Sequence, residues 1–309
     1  MKLFFSFTIL ILAFSTPVLA QKAVPSSGSI QRFELFQSAY IQARNIDVWL
    51  PANFDTRKKY SVLYMHDGQM LFDSTINWNR QEWQADETIT RLLNNKKIRD
   101  CIVVGIWNTG KDRHNDYCPQ KPFESLPLVY RDSILQYAIR SSGQKVFSGK
   151  VQSDAYLSFL VKELKPFIDS AFPTKKDRAH TIIAGSSMGG LISLYAICEY
   201  PEVFGSAACL STHWPVIFTK ENNLFPAAIH SYLRSKLPSP RTHRIYFDYG
   251  DKTLDTLYKP YQLVTDQLMR TKGYSIKNWV TREFTGEDHS EAAWSRRFHL
   301  PLEFLMPAE

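Results

Sequence analysis

Between Thr181 and Tyr195 the chain passes from a short β-branched run, through Gly185-Ser186-Ser187-Met188-Gly189, into an apolar stretch of helix formers. A Gly-x-Ser-x-Gly turn between a strand and a helix holds its central serine at a strained corner, where side chains at the two glycines are expected to collide with neighbouring backbone. The corner exposes the hydroxyl at the N-terminus of the following helix, whose free N–H groups favour developing negative charge. Ser187 is therefore the candidate nucleophile. Such a serine needs a base to take its proton and a third group to orient that base. Of the downstream histidines, His289 lies in Phe284-Thr285-Gly286-Glu287-Asp288-His289, between the last predicted strand and the last predicted helix. It is the candidate base. His299 falls within that helix, and His213, in the loop after an earlier strand, is a candidate pocket residue. The acid is expected just after the predicted strand Arg244–Tyr249, where Asp251 and Asp255 both qualify. Spacing does not decide between them. The need for a short loop turning back toward the histidine favours Asp255, while Asp251, directly after Gly250, suits a turn. Two backbone N–H groups must face the developing oxyanion; Met188 and Gln69, the latter in the turn opened by Gly68, are the candidates.

These residues need a scaffold that brings distant loops to one edge. Phe33–Phe36 and Ala43–Leu50 read as an antiparallel pair ended by Pro51. Strands are then predicted at residues 61–66, 101–106, 181–184, 207–211, 244–249 and 276–284, with helices at 87–93, 154–167, 191–199, 260–272 and 292–305. Alternation of this kind implies a mostly parallel sheet with helices on both faces. Each candidate group then sits beyond the carboxyl end of a strand, the edge at which open α/β sheets bind ligands. Two long insertions, residues 108–151 and 211–241, leave that same edge and are expected to be functional loops or lids.

The N-terminus has a charged start, an apolar run from Leu3 to Leu12 and small residues before Gln21. This is the pattern of a secretory signal peptide over residues 1–20, and it predicts a periplasmic or secreted protein. The core of that run is short for a membrane span, so no stable membrane insertion is expected after cleavage. Residues 21–29 read as a flexible lead-in, and residues 30–309 as one domain. A net charge of +7 is spread without a basic stripe interleaved with aromatics, which argues against nucleic acid and lends slight support to an acidic ligand. The four cysteines lack the paired spacing of a zinc site, and the run Asp112-Arg113-His114-Asn115-Asp116 lacks a helical metal-ligand pattern. No metal is expected. Trp78, Trp83, Trp107, His213 and Trp214 fall near strand ends or in the insertions and are candidates for an aromatic cleft, with Trp107, His213 and Trp214 as its principal lining.

Four segments, His66–Asp73, Gly185–Gly190, Phe247–Asp255 and Asp288–Trp294, occur in the order of one family. Together they resemble the esterase family of α/β-hydrolases that includes esterase D, enterochelin-type siderophore esterases and feruloyl or acetyl-xylan esterases. Met70 departs from the family's pattern, which more often has asparagine there. The resemblance implies an α/β-hydrolase fold and a serine hydrolase without cofactor, with Ser187 and His289 matching the family's serine and histidine. A small-molecule or carbohydrate-linked ester is the expected substrate. Acyl transfer to an alcohol by the same residues, and a non-catalytic binding module on the same scaffold, are the competing readings.

Overall fold

The computed structural model describes residues 22–140, 142–219 and 221–308; the predicted signal segment, residues 1–20, lies outside them. The strands are β1 (Ser29–Phe36), β2 (Arg44–Leu50), β3 (Ser61–His66), β4 (Cys101–Ile106), β5 (Thr181–Ser186), β6 (Ser206–Leu210), β7 (Arg244–Gly250) and β8 (Trp279–Phe284). They form one sheet in the order β1-β2-β4-β3-β5-β6-β7-β8. β2 runs antiparallel to both β1 and β4, and all other pairs are parallel. β3 and β5, apolar and β-branched in sequence, are central and buried throughout. Side-chain alternation divides them between two cores. Tyr64, Val104 and Ile183 enter one, while Leu63, Met65, Ile182 and Ala184 enter the other. Each fully buried Ile or Leu on these strands contributes about 1.5–3 kcal/mol relative to exposure.

Among the described residues, eleven α-helices flank the sheet: α1 (Ala85–Asn94), α2 (Arg113–Tyr117), α3 (Gln120–Glu124), α4 (Leu128–Tyr137), α5 (Ser153–Phe159), α6 (Lys165–Ala171), α7 (Met188–Glu199), α8 (Phe225–Lys236), α9 (Lys259–Thr271), α10 (Glu291–Arg297) and α11 (His299–Leu305). α7 is apolar almost all round, and every residue from Met188 to Cys198 is buried, as a helix at the centre of a two-sided core requires. Two stretches expected as single helices are interrupted. A π segment, Leu160–Leu164, separates α5 from α6, just before Pro166, whose missing N–H cannot continue a regular ladder. α10 and α11 break at Phe298, two residues before Leu300-Pro301, for the same reason.

The insertions are more ordered than loops. Residues 108–151 carry α2, α3 and α4, and residues 211–241 carry α8. They pack on each other through the stacked pair Phe123 and Phe225, 6.2 Å between centroids, and the Leu224 N–H donates to the Tyr130 hydroxyl. The described part of the expected flexible lead-in is likewise tied down. Ala23 is buried, the Val24 N–H donates to Asp73, the Ser27 N–H donates to Asp86, and the Trp49 indole donates to the Ser27 carbonyl. All four cysteines are free thiols and buried.

Candidate active site

Ser187 joins β5 to α7 with φ 58° and ψ −123°, a conformation costing a non-glycine residue on the order of 1–3 kcal/mol. Its N–H donates to the Leu210 carbonyl at 2.9 Å, and its carbonyl accepts from the His213 N–H at 3.1 Å, so the neighbouring β6 end over-determines the strained corner. The two glycines are not equally constrained. A Cβ on Gly185 would lie 2.7 Å from the Gly189 backbone, whereas one on Gly189 would make ordinary 3.4 Å contacts with His66 and Asp67. Tight approach of strand to helix therefore falls on Gly185 alone. Those same contacts show that the first turn of α7 abuts the end of β3.

His289 and Asp255 meet. His289 Nδ1 lies 2.5 Å from Asp255 Oδ1, with the carboxylate fully buried and the imidazole 14 % exposed. The contact fixes the tautomer, because a carboxylate accepts and Nδ1–H must donate, which leaves Nε2 as the basic atom. Asp255 Oδ2 accepts from the Gly250 N–H and from the Ser211 hydroxyl, each at 2.6 Å. Burial pushes the Asp255 pKa up, but the hydrogen bonds from His289, Ser211 and Gly250 outweigh it and hold the carboxyl below its usual value. Ser211 Oγ in turn accepts from Trp294 Nε1 and Arg297 Nη2, both at 3.0 Å, and Arg297 also reaches Asp248 Oδ1 at 3.0 Å.

Asp251 takes a different part. Its Oδ1 accepts the Gly286 N–H at 2.7 Å, and its own N–H and that of Lys252 donate to the Glu287 carbonyl. The acid loop and the histidine loop are thereby zipped together. A Cβ on Gly250 would sit 2.2 Å from the Glu287 oxygen, so only glycine permits this approach. The His289 N–H completes the junction by donating to Thr253 Oγ1 at 2.9 Å.

Gln69 occupies the short 3₁₀ turn Gly68–Met70 beyond β3, and Met188 opens α7, where first-turn N–H groups have no partner within the helix. The turn is held from below. Asp67, in a left-handed conformation, receives Arg113 Nε and Nη2 at 2.8 and 2.7 Å and Asn108 Nδ2 at 2.7 Å. Met70 is buried beneath the turn, where its carbonyl accepts the Trp83 N–H.

Ser187 and His289 line one cavity of about 1450 Å³, together with Gln69, Met70, Trp83 and Trp294. No hydrogen bond joins Ser187 to His289 in this structure. The buried Tyr258 phenol engages the serine; its ring lies edge-on to His289 and its hydroxyl is 2.8 Å from His213 Nδ1. Catalytic contacts of this kind are often open before substrate binds.

The principal aromatic lining expected from sequence is corrected. Trp214 is fully buried against His230 and Phe247. His213 is buried behind the serine, where burial first, and then His289 and Arg113, push its pKa down to about 3. Trp107 donates to Asp47 at 2.8 Å beneath the Arg32 guanidinium. None of the three reaches the cavity, whose tryptophans are Trp78, Trp83 and Trp294. A strand-end position does not say to which face a side chain points: His213 and Trp214 point inward, and the half-buried Trp107 turns to Asp47 and Arg32. The sequence reading also passed over Ser211, Tyr258 and Arg297, for which no motif exists; the only signal was Ser211's place at the end of a predicted strand. In the Asp112–Asp116 run, Asp112 and Asn115 share Ser148, while Arg113 turns to Asp67, His114 to Arg140 and Asp116 to Arg44.

Sheet order, the elbow at the end of β5 and the histidine loop after β8 define an α/β-hydrolase. Residues 38–133 and 135–300 match the family described as "Putative esterase", and the chain belongs to that esterase family. It is 27 % identical over 183 residues to the uncharacterized protein YjcH of Bacillus subtilis (strain 168), a match covering 59 % of this chain and 61 % of that protein. The chain thus spans about three fifths of that curated relative. Among solved structures it shares the fold of a ferulic acid esterase, at TM-score 0.60 and 19 % identity, over 90 % of this chain and 98 % of that one. The enterobactin esterase FES from Shigella flexneri aligns at TM-score 0.62 and 18 % identity, over 92 % of this chain and 60 % of that one.

Proposed function

We propose that the protein is an exported serine carboxylic-ester hydrolase working through an acyl-enzyme. The observation that carries the reading is the 2.5 Å contact between Asp255 and His289, on loops zipped together beside a cavity that Ser187 also lines. Substrate entry turns the Ser187 hydroxyl from Tyr258 toward His289 Nε2. The oxygen attacks the ester carbonyl carbon as Nε2 takes its proton, and the Asp255 carboxylate stabilises the imidazolium through Nδ1–H. The oxyanion is received by the Met188 and Gln69 N–H groups, where removal of one donor typically costs 10²–10³-fold. The tetrahedral centre collapses and the alcohol leaves with the proton from Nε2; water then attacks the acyl carbon as the same nitrogen takes its proton, and the acyl–Oγ bond breaks as that proton returns to Ser187, releasing the acid.

Export rests on the N-terminal sequence pattern alone. Sugar-linked acyl or phenolic esters and siderophore esters are the substrates we put forward, since the exposed Trp78 on the cavity lining offers an aromatic face to a ring and the neighbouring structures carry the names of such esterases. The test is hydrolysis of p-nitrophenyl acetate and butyrate with labelling by a fluorophosphonate. Both are expected in the wild type and neither in Ser187→Ala; turnover that survives in the variant would overturn the reading.

A further inference from the structure

The first insertion sends Lys111, Arg113, Arg140 and Lys145 to the cavity that Ser187 and His289 line. The acids on the same lining are Asp67 and Glu291. Asp67 is consumed by Arg113, which grips both its oxygens, and Glu291 accepts from Asn79 at 2.8 Å. Among the described residues, none of Lys111, Arg140 and Lys145 forms an ion pair with a carboxylate. The lining therefore has a surplus of positive charge that the protein does not neutralise.

Arg140 is not a free surface side chain. Its Nη2 lies 2.7 Å from His114 Nδ1, and its guanidinium carbon sits 5.6 Å from the centroid of the Phe218 ring. Burial first, and then Arg140, Arg113 and His213, hold the His114 pKa well below its ordinary value, so that imidazole is neutral and Nδ1 accepts. The guanidinium is thus fixed by a neutral acceptor and an aromatic face, with other N–H groups left over. Burial, and then the nearby charge of Arg113, lowers the Arg140 pKa. Arg113 already has its carboxylate in Asp67, whereas Arg140 has none, and a planar oxyanion is the guest that would neutralise it.

We propose that Arg140, with Lys111 and Lys145 beside it, is a subsite for an oxyanion of the substrate, so that the natural ester carries a carboxylate or similar anion on its acid or its alcohol part. This rests on the esterase reading of the same cavity. An adjacent anion subsite selects among esters without touching the reacting carbonyl, and long-range attraction to the surplus charge speeds encounter at low ionic strength.

Two matched substrate pairs test it: p-nitrophenyl hemiglutarate against p-nitrophenyl valerate, with the charge on the acyl side, and 3-acetoxybenzoate against phenyl acetate, with the charge on the alcohol side. After correction for alkaline reactivity, the charged member of at least one pair is expected to show about tenfold higher kcat/KM at low ionic strength, falling with added salt. That ratio is expected to drop about tenfold in Arg140→Gln, and by a smaller factor in the exposed double variant Lys111→Gln/Lys145→Gln, whose folding is not at risk. Turnover of neutral esters that depends on Ser187, with no preference in either pair or an unchanged ratio in both variants, overturns the subsite and leaves the esterase standing. If no ester is hydrolysed, the esterase reading fails, and the subsite is judged by tryptophan fluorescence of Ser187→Ala titrated with glutarate and benzoate. Saturable quenching lost on Arg140→Gln supports it; no saturation overturns it.

Discussion

The floor and the inserted wall of the cavity handle charge in opposite ways. On the floor, at the ends of β3, β5, β6, β7 and β8, the buried carboxylates are engaged by named partners: Asp67 by Arg113 and Asn108, Asp248 by Arg297, and Asp255 by His289, Ser211 and the Gly250 N–H. On the wall built by residues 108–151, Lys111, Arg140 and Lys145 form no ion pair with an acid among the described residues. The first region fixes Asp255 against His289 before any ligand arrives, an arrangement that suits electrostatic preorganisation. The second is completed only by a guest. Chemistry and selectivity are thereby assigned to different parts of the chain, the sheet edge and an insertion.

The contrast is broken most severely at Asp255. Asp255→Asn reverses the hydrogen-bond preference at His289 Nδ1 and is expected to lower kcat by roughly 10⁴-fold with KM little changed. Asp251→Asn, which touches only the loop junction, is expected to stay within about threefold of wild type; steady-state kinetics of the pair on one p-nitrophenyl ester decides the matter. A dominant loss in Asp251→Asn instead would exchange the two roles.

A smaller effect separates the buried histidines from the wall. His213 is neutral in the fold, its pKa pushed down to about 3 by burial, whereas it titrates near 6.5 in an unfolded chain. Between those values the unfolded state binds more protons, so stability falls as pH drops from about 6.5 toward 3. At pH 5 the loss from this residue alone is about 2 kcal/mol. His213→Gln, which keeps an acceptor for Tyr258, is expected to be less sensitive to acid by about that amount in urea unfolding at pH 7 and pH 5. An unchanged slope would mean that the ring is not held neutral.

The smallest effect belongs to the wall itself. Lys111→Gln and Lys145→Gln break no ion pair, and each is expected to leave the urea midpoint within about 0.5 kcal/mol of wild type. A clear gain in stability would show that the surplus charge strains the empty cavity; a clear loss would reveal an acid partner for these lysines.

Much of the floor was legible because its signals are local. A strand, a glycine-bounded serine and a helix lie within fifteen consecutive residues, and the glycine at 185 follows from a steric contact only four residues away. Alternating strands and helices implied the parallel sheet and its ligand-binding edge, with strand limits that needed adjustment by only a few residues at their ends. Proline effects inside helices were less readable, since whether Pro166 and Pro301 bend, bulge or break a helix depends on what packs around them.

By itself, then, the sequence determined the fold class and pointed to Ser187, His289 and two candidate acids at one edge of the sheet, because each signal depends on neighbours along the chain or on strand order. Tertiary structure alone decided that Asp255 rather than Asp251 faces His289, that Trp107, His213 and Trp214 turn away from the cavity, and that Ser211 and Arg297 brace the acid. It also decided that Arg140 reaches the cavity that Arg113 lines, fixed by His114 rather than by a carboxylate. The physical reason is common to all of these. Which face a side chain takes, and which charge stands beside it, is set by contacts between residues far apart in the chain, 26 positions for Arg140 and His114 and 86 for Arg297 and Ser211, and no local propensity carries that information.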